Sequence, residues 1–126
     1  MREIKFRAWD GNTKKMSEIT QLRLPHREDL APDVFLMQFT GLKDKNGKEI
    51  WEGDIIKENL GNQTRRPMEI SFINGQFCGK VKVPDTSSLE MLEQYHLIFT
   101  EIGVIPLEYE IIGNIHENPE LLTKNL

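Results

Sequence analysis

The chain has 126 residues and a formal net charge of −4 at pH 7, with 38% hydrophobic and 29% charged residues. This composition is typical of one compact soluble domain and excludes the low-apolar composition of disordered chains. A single cysteine, Cys78, excludes an intramolecular disulfide and fits a reducing cytoplasm. No apolar run reaches the roughly 20 residues of a membrane span or the about 7–15 of a secretory leader. We therefore expect a cytoplasmic protein with no membrane partner.

The N terminus alternates apolar and charged residues at a period of two, which is typical of a half-buried strand. Ile4, Phe6 and Ala8 share one side of this strand and are predicted to face the core, with the charged residues on the other side. Turn residues follow at positions 10–12, and a second strand is predicted within residues 16–24. Together they would form an opening hairpin.

A short apolar run and two turns are predicted in the middle of the chain. Residues 34–39 are rich in aromatic and β-branched residues and have the length of a buried strand. Asn46-Gly47 is predicted to form a type I′ turn, because both central residues of that turn need positive φ. Gly53-Asp54 predicts another turn, in which the Asp54 carboxylate would accept backbone N–H bonds.

The clearest hairpin signal is Asn74-Gly75, a second type I′ candidate between predicted strands at residues 68–73 and 76–83.

Two short helices and two strands are predicted in the last third of the chain. A serine and a glutamate with capping-box spacing predict a helix over residues 87–95. Strands are predicted over residues 96–102 and 108–115. Asn118, followed by a proline and a glutamate, then fits the start of a short terminal helix. The order of elements predicts a mainly-β fold with short helices, divided near the polar break at residues 25–32 into an N-terminal hairpin subdomain and a barrel-like unit.

Few residues are arranged for catalysis. His26, His96 and His116 are far apart in the sequence, and none has the spacing of a metal site. They could converge in the fold, but structural or exposed roles are commoner for single histidines. Cys78 could act as a nucleophile only beside a histidine, and its mid-strand position favours a core role.

A small acidic cluster, Glu49, Glu52 and Asp54, could bind a cation. The favoured interpretation of Asp54 is the turn role described above. We therefore predict no catalytic residue, no cofactor and no metal ligand.

Two basic groups could contact phosphate. One surrounds a predicted hairpin tip and the other lies in a predicted exposed loop, although solubility is the ordinary role of such charges. Trp51 could stack on a base or anchor the core beneath the turn. The candidate binding residues are Lys43, Lys45, Lys48, Trp51, Arg65 and Arg66. The acidic total charge disfavours a nucleic-acid partner.

Three blocks of the sequence are more distinctive. They are MREIKFRAWD at residues 1–10, MQFTGLKDKNGKEIWEGDII at residues 37–56 and IIGNIHENPELL at residues 111–122. In this order they resemble the YopX family of phage and prophage proteins. The resemblance implies an N-terminal β subdomain at residues 1–40, and at residues 41–126 an SH3-type small barrel with a short C-terminal helix. It also implies a phage or prophage product in a bacterial cytoplasm, and it brings no activity.

Three functions remain open at this point. The first is a non-enzymatic binding module that recognises a host or phage macromolecule. The alternatives are a nucleic-acid binder that uses the basic turns, and a small enzyme that uses the acidic cluster with a histidine. Several short strands leave sheet edges uncovered, so we also expect a homo-oligomer.

Overall fold

A computed structural model describes residues 3–19, 33–60, 63–64, 67–84, 91–97 and 108–123. These residues form ten strands and one short 3-10 helix, Pro119–Leu122. None of the helices in these ranges is long and apolar enough to span a membrane. The strands are β1 Phe6–Asp10, β2 Lys15–Ile19, β3 Val34–Lys43, β4 Glu49–Trp51, β5 Asp54–Leu60, β6 Gln63–Thr64, β7 Met68–Ile73, β8 Gln76–Pro84, β9 Met91–Leu97 and β10 Glu108–Asn114.

The strands form two antiparallel sheets, which confirms the mainly-β prediction. The first sheet has the order β2-β1-β3-β4, and the second has the order β10-β5-β7-β8-β9 with β6 paired to β5. β3 continues without a break across residues 40 and 41, where the boundary between the two subdomains was predicted. The chain passes from the first sheet to the second at the turn between β4 and β5. The SH3-type barrel and the two-subdomain division remain predictions.

The inward face of β1 is the opposite of the predicted one. β1 pairs with β3 in a register that sets Arg7 beside Met37 and Trp9 beside Phe35. Arg7 and Trp9 face the second sheet, where the side chain of Arg7 is only 13% exposed. Ile4, predicted to be on the buried side, is 71% exposed. The period of two is correct, but the large indole of Trp9 determines which face is buried.

The main core lies between the second sheet and the β3–β4 hairpin. Its residues come from both sheets, so the two sheets share one core. The buried cluster consists of Ile50, Ile56, Met68, Ile70, Phe77, Val81 and Tyr109. Cys78 is also buried, in agreement with its predicted core role.

The two predicted type I′ turns have different outcomes. Asn74 and Gly75 both have positive φ, 52° and 78°, as the type I′ prediction requires. In the other turn only Gly47 has positive φ, and its N–H donates to Asp44 O over 3.0 Å. This is a longer hairpin loop in which a turn is followed by a left-handed glycine. The type I′ prediction at Asn46 was wrong because Asp44 closes the turn one residue earlier.

The helix predicted over residues 87–95 is wrong where the structure describes it. Met91–Leu97 is strand β9, which pairs with β8 from Pro84↔Met91 to Cys78↔Leu97. A two-turn helix has little stability of its own, and the ladder offered by β8 outweighs it. Residues 87–90 lie outside the described ranges, as do residues 98–102 of the next predicted strand. The predicted terminal helix exists as a 3-10 turn, without a side-chain capping bond from Asn118.

We expect Gly53→Ala to destabilise the protein more than Gly47→Ala. Both glycines have positive φ, which costs an ordinary residue about 1–2 kcal/mol. A Cβ on Gly53 would also lie 2.9 Å from Sδ of Met37, whose side chain is buried, whereas a Cβ on Gly47 meets nothing within 4 Å. Urea unfolding of the two variants measures the difference, and equal losses would contradict the packing around Gly53.

Candidate functional site: the intersheet cleft

A cleft of about 620 Å³ lies between the two sheets, and we refer to it as the intersheet cleft. One wall is formed by Lys48, Glu49 and Trp51 at the start and end of β4. The other wall is formed by residues 111–114 of β10, followed by Glu117 and Asn118. A second cavity, of about 600 Å³, adjoins it and shares Gly47 and Glu49 with it.

A buried ion pair between Arg7 and Asp54 joins the sheets beside this cleft. Arg7 Nη2 donates to Asp54 Oδ1 over 2.7 Å, and the two side chains are 13% and 4% exposed. Asp54 Oδ2 accepts the backbone N–H of Trp51 over 2.8 Å. The guanidinium carbon of Arg7 lies 5.3 Å from the centre of the Trp51 ring, within cation–π range. Asp54 therefore stabilises its turn through the N–H of Trp51, as predicted, and it also binds the first sheet through Arg7.

Burial raises the pKa of Asp54, while the charge of Arg7 and the N–H of Trp51 act in the opposite direction. The ionised carboxylate consequently depends on Arg7. The Nε atom of Arg7 is buried and has no hydrogen-bond partner among the described residues. The guanidinium is thus fixed mainly by its bond to Asp54 and by its cation–π contact with Trp51.

Asp44 ties the β3–β4 turn to β10. Its Oδ1 accepts the N–H groups of Asn46 and Lys48 over 2.8 and 2.9 Å, and its Oδ2 accepts the N–H of Ile111 over 3.1 Å. Burial on its own would raise the pKa of Asp44. The three backbone N–H groups outweigh burial, so its pKa lies below the ordinary value. This carboxylate, which was not among the predicted site residues, connects Lys48 and Ile111 on the two walls of the cleft.

The turn after β10 is built on two asparagines. Asn114 Oδ1 accepts the N–H groups of His116 and Glu117 over 3.0 and 2.9 Å, and Asn118 Oδ1 accepts the N–H of Asn114 over 3.3 Å. Gly113 is needed here because a Cβ would lie 2.7 Å from Asn118 Oδ1. These bonds place Glu117 at the cleft.

His116 packs as an aromatic residue between the sheets. Its ring centre lies 5.5 Å from Trp9, with the planes nearly parallel, and 5.0 Å from Phe35. Burial, followed by the charge of Arg7, lowers the pKa of His116, so the ring is neutral near pH 7. His26 and the side chain of His96 lie outside what the structure describes. Over the described residues, no three His, Cys, Asp or Glu side chains are grouped so as to hold a metal ion.

The predicted binding residues are only partly brought together. Lys48 lines the intersheet cleft, Lys43 lines the adjoining cavity, and Lys45 forms an ion pair with Glu110 at 3.5 Å. Trp51 is 6% exposed, a burial that favours the core interpretation over base stacking. Arg65 and Arg66 lie outside the described residues.

The acidic cluster does not converge on an open site. Glu49 forms an ion pair with Lys5, whose Nζ lies 4.6 Å from the centre of the Phe39 ring. The carboxylate of Glu52 accepts the N–H of Gln38 over 3.2 Å. Each acid therefore has a partner within the fold.

Sequence reasoning missed Arg7, because an arginine that alternates with apolar residues is normally solvent-exposed. The signal that could have identified it is Trp9, two residues later on the same face of β1. A buried indole implies that its face of the strand is also buried, and a buried arginine then needs a carboxylate.

A comparison with family models identifies one family. A family model described as YopX protein matches residues 21–123, which includes two of the three blocks noted above but not residues 1–10. No functionally curated protein matches the chain. The crystal structure of protein EF1440 from Enterococcus faecalis is 30% identical, with a TM-score of 0.64 over 97% of this chain and 99% of that one. The crystal structure of protein YopX from Bacillus subtilis is 19% identical, with a TM-score of 0.57 over 97% and 99%, and this likeness concerns the fold alone.

Arg7→Met is expected to cost about 3–5 kcal/mol of unfolding free energy at pH 7, because it leaves Asp54 charged and buried without its cation. The folded-state pKa of Asp54 then rises further above the unfolded value of about 3.9. The variant is therefore least impaired below about pH 4, and it loses stability as the pH rises through the folded-state pKa. Chemical unfolding at several pH values measures this. Adding Asp54→Asn should remove the pH dependence, and a loss independent of pH would contradict a buried charge pair.

Asp44→Asn is expected to cost about 1–3 kcal/mol near neutral pH, because an amide cannot accept all three N–H bonds. The folded-state pKa of Asp44 is depressed, so its contribution is present above about pH 4 and is lost as the pH falls through the folded-state pKa. The variant and the wild type should therefore converge in acid. Asp10→Asn, which alters an exposed turn carboxylate bonded to the N–H of Asn12, is the matched control and should cost less.

Proposed function

Since the chain belongs to the YopX family, we propose that it is a non-enzymatic binding module that engages a host or phage macromolecule through the intersheet cleft. We propose further that it is a phage- or prophage-encoded accessory protein of the bacterial cytoplasm. The three sequence blocks support the phage origin, and the buried free thiol of Cys78 supports a reducing compartment.

The observation that carries this proposal is that the acidic and histidine side chains around the cleft already form bonds or ring contacts within the fold. Asp54 is 4% exposed and bonded to Arg7 and to a backbone amide. Asp44 bonds three backbone amides, and His116 is stacked between aromatic rings. A general acid or base must reach the proton that it transfers. These groups instead build a shaped cleft, while Lys48 and Glu117 line it and are exposed.

The alternatives receive less support. A nucleic-acid interface based on Lys45 and Trp51 would have to break the ion pair of the lysine and expose a buried indole. The cleft also presents Glu117, which repels phosphate. An enzyme based on the acidic cluster would have to release Glu49 from Lys5 and Asp54 from Arg7.

Self-association forms part of the proposal. In the described part of the chain, β2 and β9 are outer strands, and an uncovered strand edge can pair with a second copy. A homo-oligomer of this kind would leave the intersheet cleft accessible, because the cleft lies beside β4 and β10 instead.

Native mass spectrometry of gently purified protein from phage-induced bacterial cells tests the proposal. We expect a second polypeptide bound to the wild type, and Lys48→Gln should lower the bound fraction about tenfold, since Lys48 lies in the cleft. Lys14→Gln, the same change at an exposed position of the β1–β2 turn, is the matched control and should retain the partner. Equal melting temperatures would show that all three proteins are folded.

Three outcomes would contradict the proposal: unchanged binding by Lys48→Gln, bound nucleic acid in place of a polypeptide, or a bare protein in every sample. Turnover of a small molecule that stops on removal of one acid would instead support the enzyme.

A further inference from the structure

We propose that the intersheet cleft and the cavity that adjoins it form one groove, which binds a polypeptide segment through the charges of its side chains. Acidic side chains of the segment pair with Lys43 and Lys48, and a basic side chain pairs with Glu117. We refer to the two cavities together as the charged groove. This inference rests on the proposed function and names the chemistry of the partner.

The charged groove runs past the tip of the β3–β4 hairpin. Gly47 and Glu49 line both the intersheet cleft, of about 620 Å³, and the adjoining cavity, of about 600 Å³. These two residues flank Lys48 in the sequence, so Lys48 lies at the junction of the cavities. Lys43 lines only the adjoining cavity, and Glu117 lines only the intersheet cleft. A bound segment therefore meets the three charges in the order Lys43, Lys48, Glu117.

The other charged groups of the groove are neutralised within the fold. Lys5 forms ion pairs with Glu49 and, at 3.9 Å, with Glu3. Arg7 forms the buried ion pair with Asp54. A ligand would have to break these contacts before it could use any of the five groups, and breaking the buried pair would leave an uncompensated charge.

Three exposed charges of the groove have no such partner. Within the described ranges, Lys43, Lys48 and Glu117 form no ion pair. An opposite charge placed against each of them favours association, whereas a like charge in the same position is repelled. The charged groove therefore selects a segment with two negative charges followed by one positive charge.

A polypeptide is the macromolecule that presents both signs of charge along one chain. A nucleic acid would present only negative charge to Glu117. Ile111 and Ile112 line the same wall as Glu117 and are half-buried, so they add apolar contact area for a side chain of the segment. The contacts are made by side chains, because the β3–β4 turn and Asn118 already bond the outer edge of β10.

Selection from a random peptide library, with the full chain as bait, tests this inference. We expect enriched peptides with two acidic positions and, beyond them, one basic position. Lys43→Glu and Lys48→Glu should each convert one acidic position into a basic one, and Glu117→Lys should convert the basic position into an acidic one. The position converted by Lys48→Glu should lie between the other two. Lys14→Glu and Glu120→Lys, which reverse exposed charges that line neither cavity, should leave the selection unchanged.

Titration calorimetry with one selected synthetic peptide provides a second measurement. The wild type should bind this peptide at least about tenfold more tightly than Lys48→Glu does, because the reversal replaces an attraction by a repulsion. The difference should shrink at high salt, which screens exposed charges. Equal melting temperatures of the wild type and the variants would show that all of them are folded.

Three results would overturn the inference: no enrichment over a library without bait, enrichment that ignores the charge reversals, or converted positions in a different order. Binding of a single-stranded oligonucleotide that Glu117→Lys strengthens, with no peptide enriched, would also overturn it. These failures are distinct from failure of the proposed function. A polypeptide partner lost on Lys48→Gln, together with selected peptides indifferent to Lys43→Glu and Glu117→Lys, would retain the cleft and reject the charged groove. Full binding of the partner by Lys48→Gln would reject both.

Discussion

The buried ion pair between Arg7 and Asp54 fixes how the two sheets meet. Removing two charges from water costs several kcal/mol for each ion, so such a pair adds less to stability than to the choice of one arrangement. Arg7 lies on β1 of the first sheet and Asp54 begins β5 of the second, 47 positions apart. If the sheets slid past each other, the carboxylate of Asp54 would lose its cation. The shape of the intersheet cleft follows from this constraint.

Main-chain bonds at the ends of β4 reinforce the same arrangement. Gly53 N donates to Ile70 O over 2.8 Å, and Gly53 O accepts the N–H of Ile115 over 2.9 Å, so this turn contacts both β7 and the segment after β10. At the other end of β4, Asp44 bonds β10 through Ile111. Both walls of the cleft are thereby held by short-range polar contacts. A preformed site loses little conformational entropy on binding, which favours recognition.

Local sequence signals predicted many strands and turns correctly, but they did not predict which distant segments pair with each other. The Asn74-Gly75 turn and the strands at residues 34–39 and 108–115 follow from turn chemistry and apolar patterning, which involve neighbours in sequence. The helix at residues 87–95 was wrong because β8 offers Met91–Leu97 a ladder that no local pattern reveals. The type I′ prediction at Asn46 failed for a similar reason, since Asp44 uses its carboxylate to close the turn.

The residues of the candidate site show the same contrast between local signals and long-range contacts. Lys48 and Asp54 were identified from the sequence because charged turn residues are visible locally, although the turn role was favoured for Asp54. Arg7 and Glu117 were not identified from the sequence. Arg7 bonds to Asp54 on a distant strand, and Glu117 lines a cleft whose other wall comes from a distant part of the chain. The identity of the family did follow from sequence, through blocks that span the chain.

The cleft draws its lining from Arg7 near one end of the chain and from residues 111–118 near the other. During translation, the early strands leave the ribosome long before the last wall of the cleft is made. The cleft is therefore complete only once β10 and the turn after it have been made, and a chain stalled before β10 lacks one of its walls. Loss of β10 would remove the same wall and leave the strands of the first sheet in place.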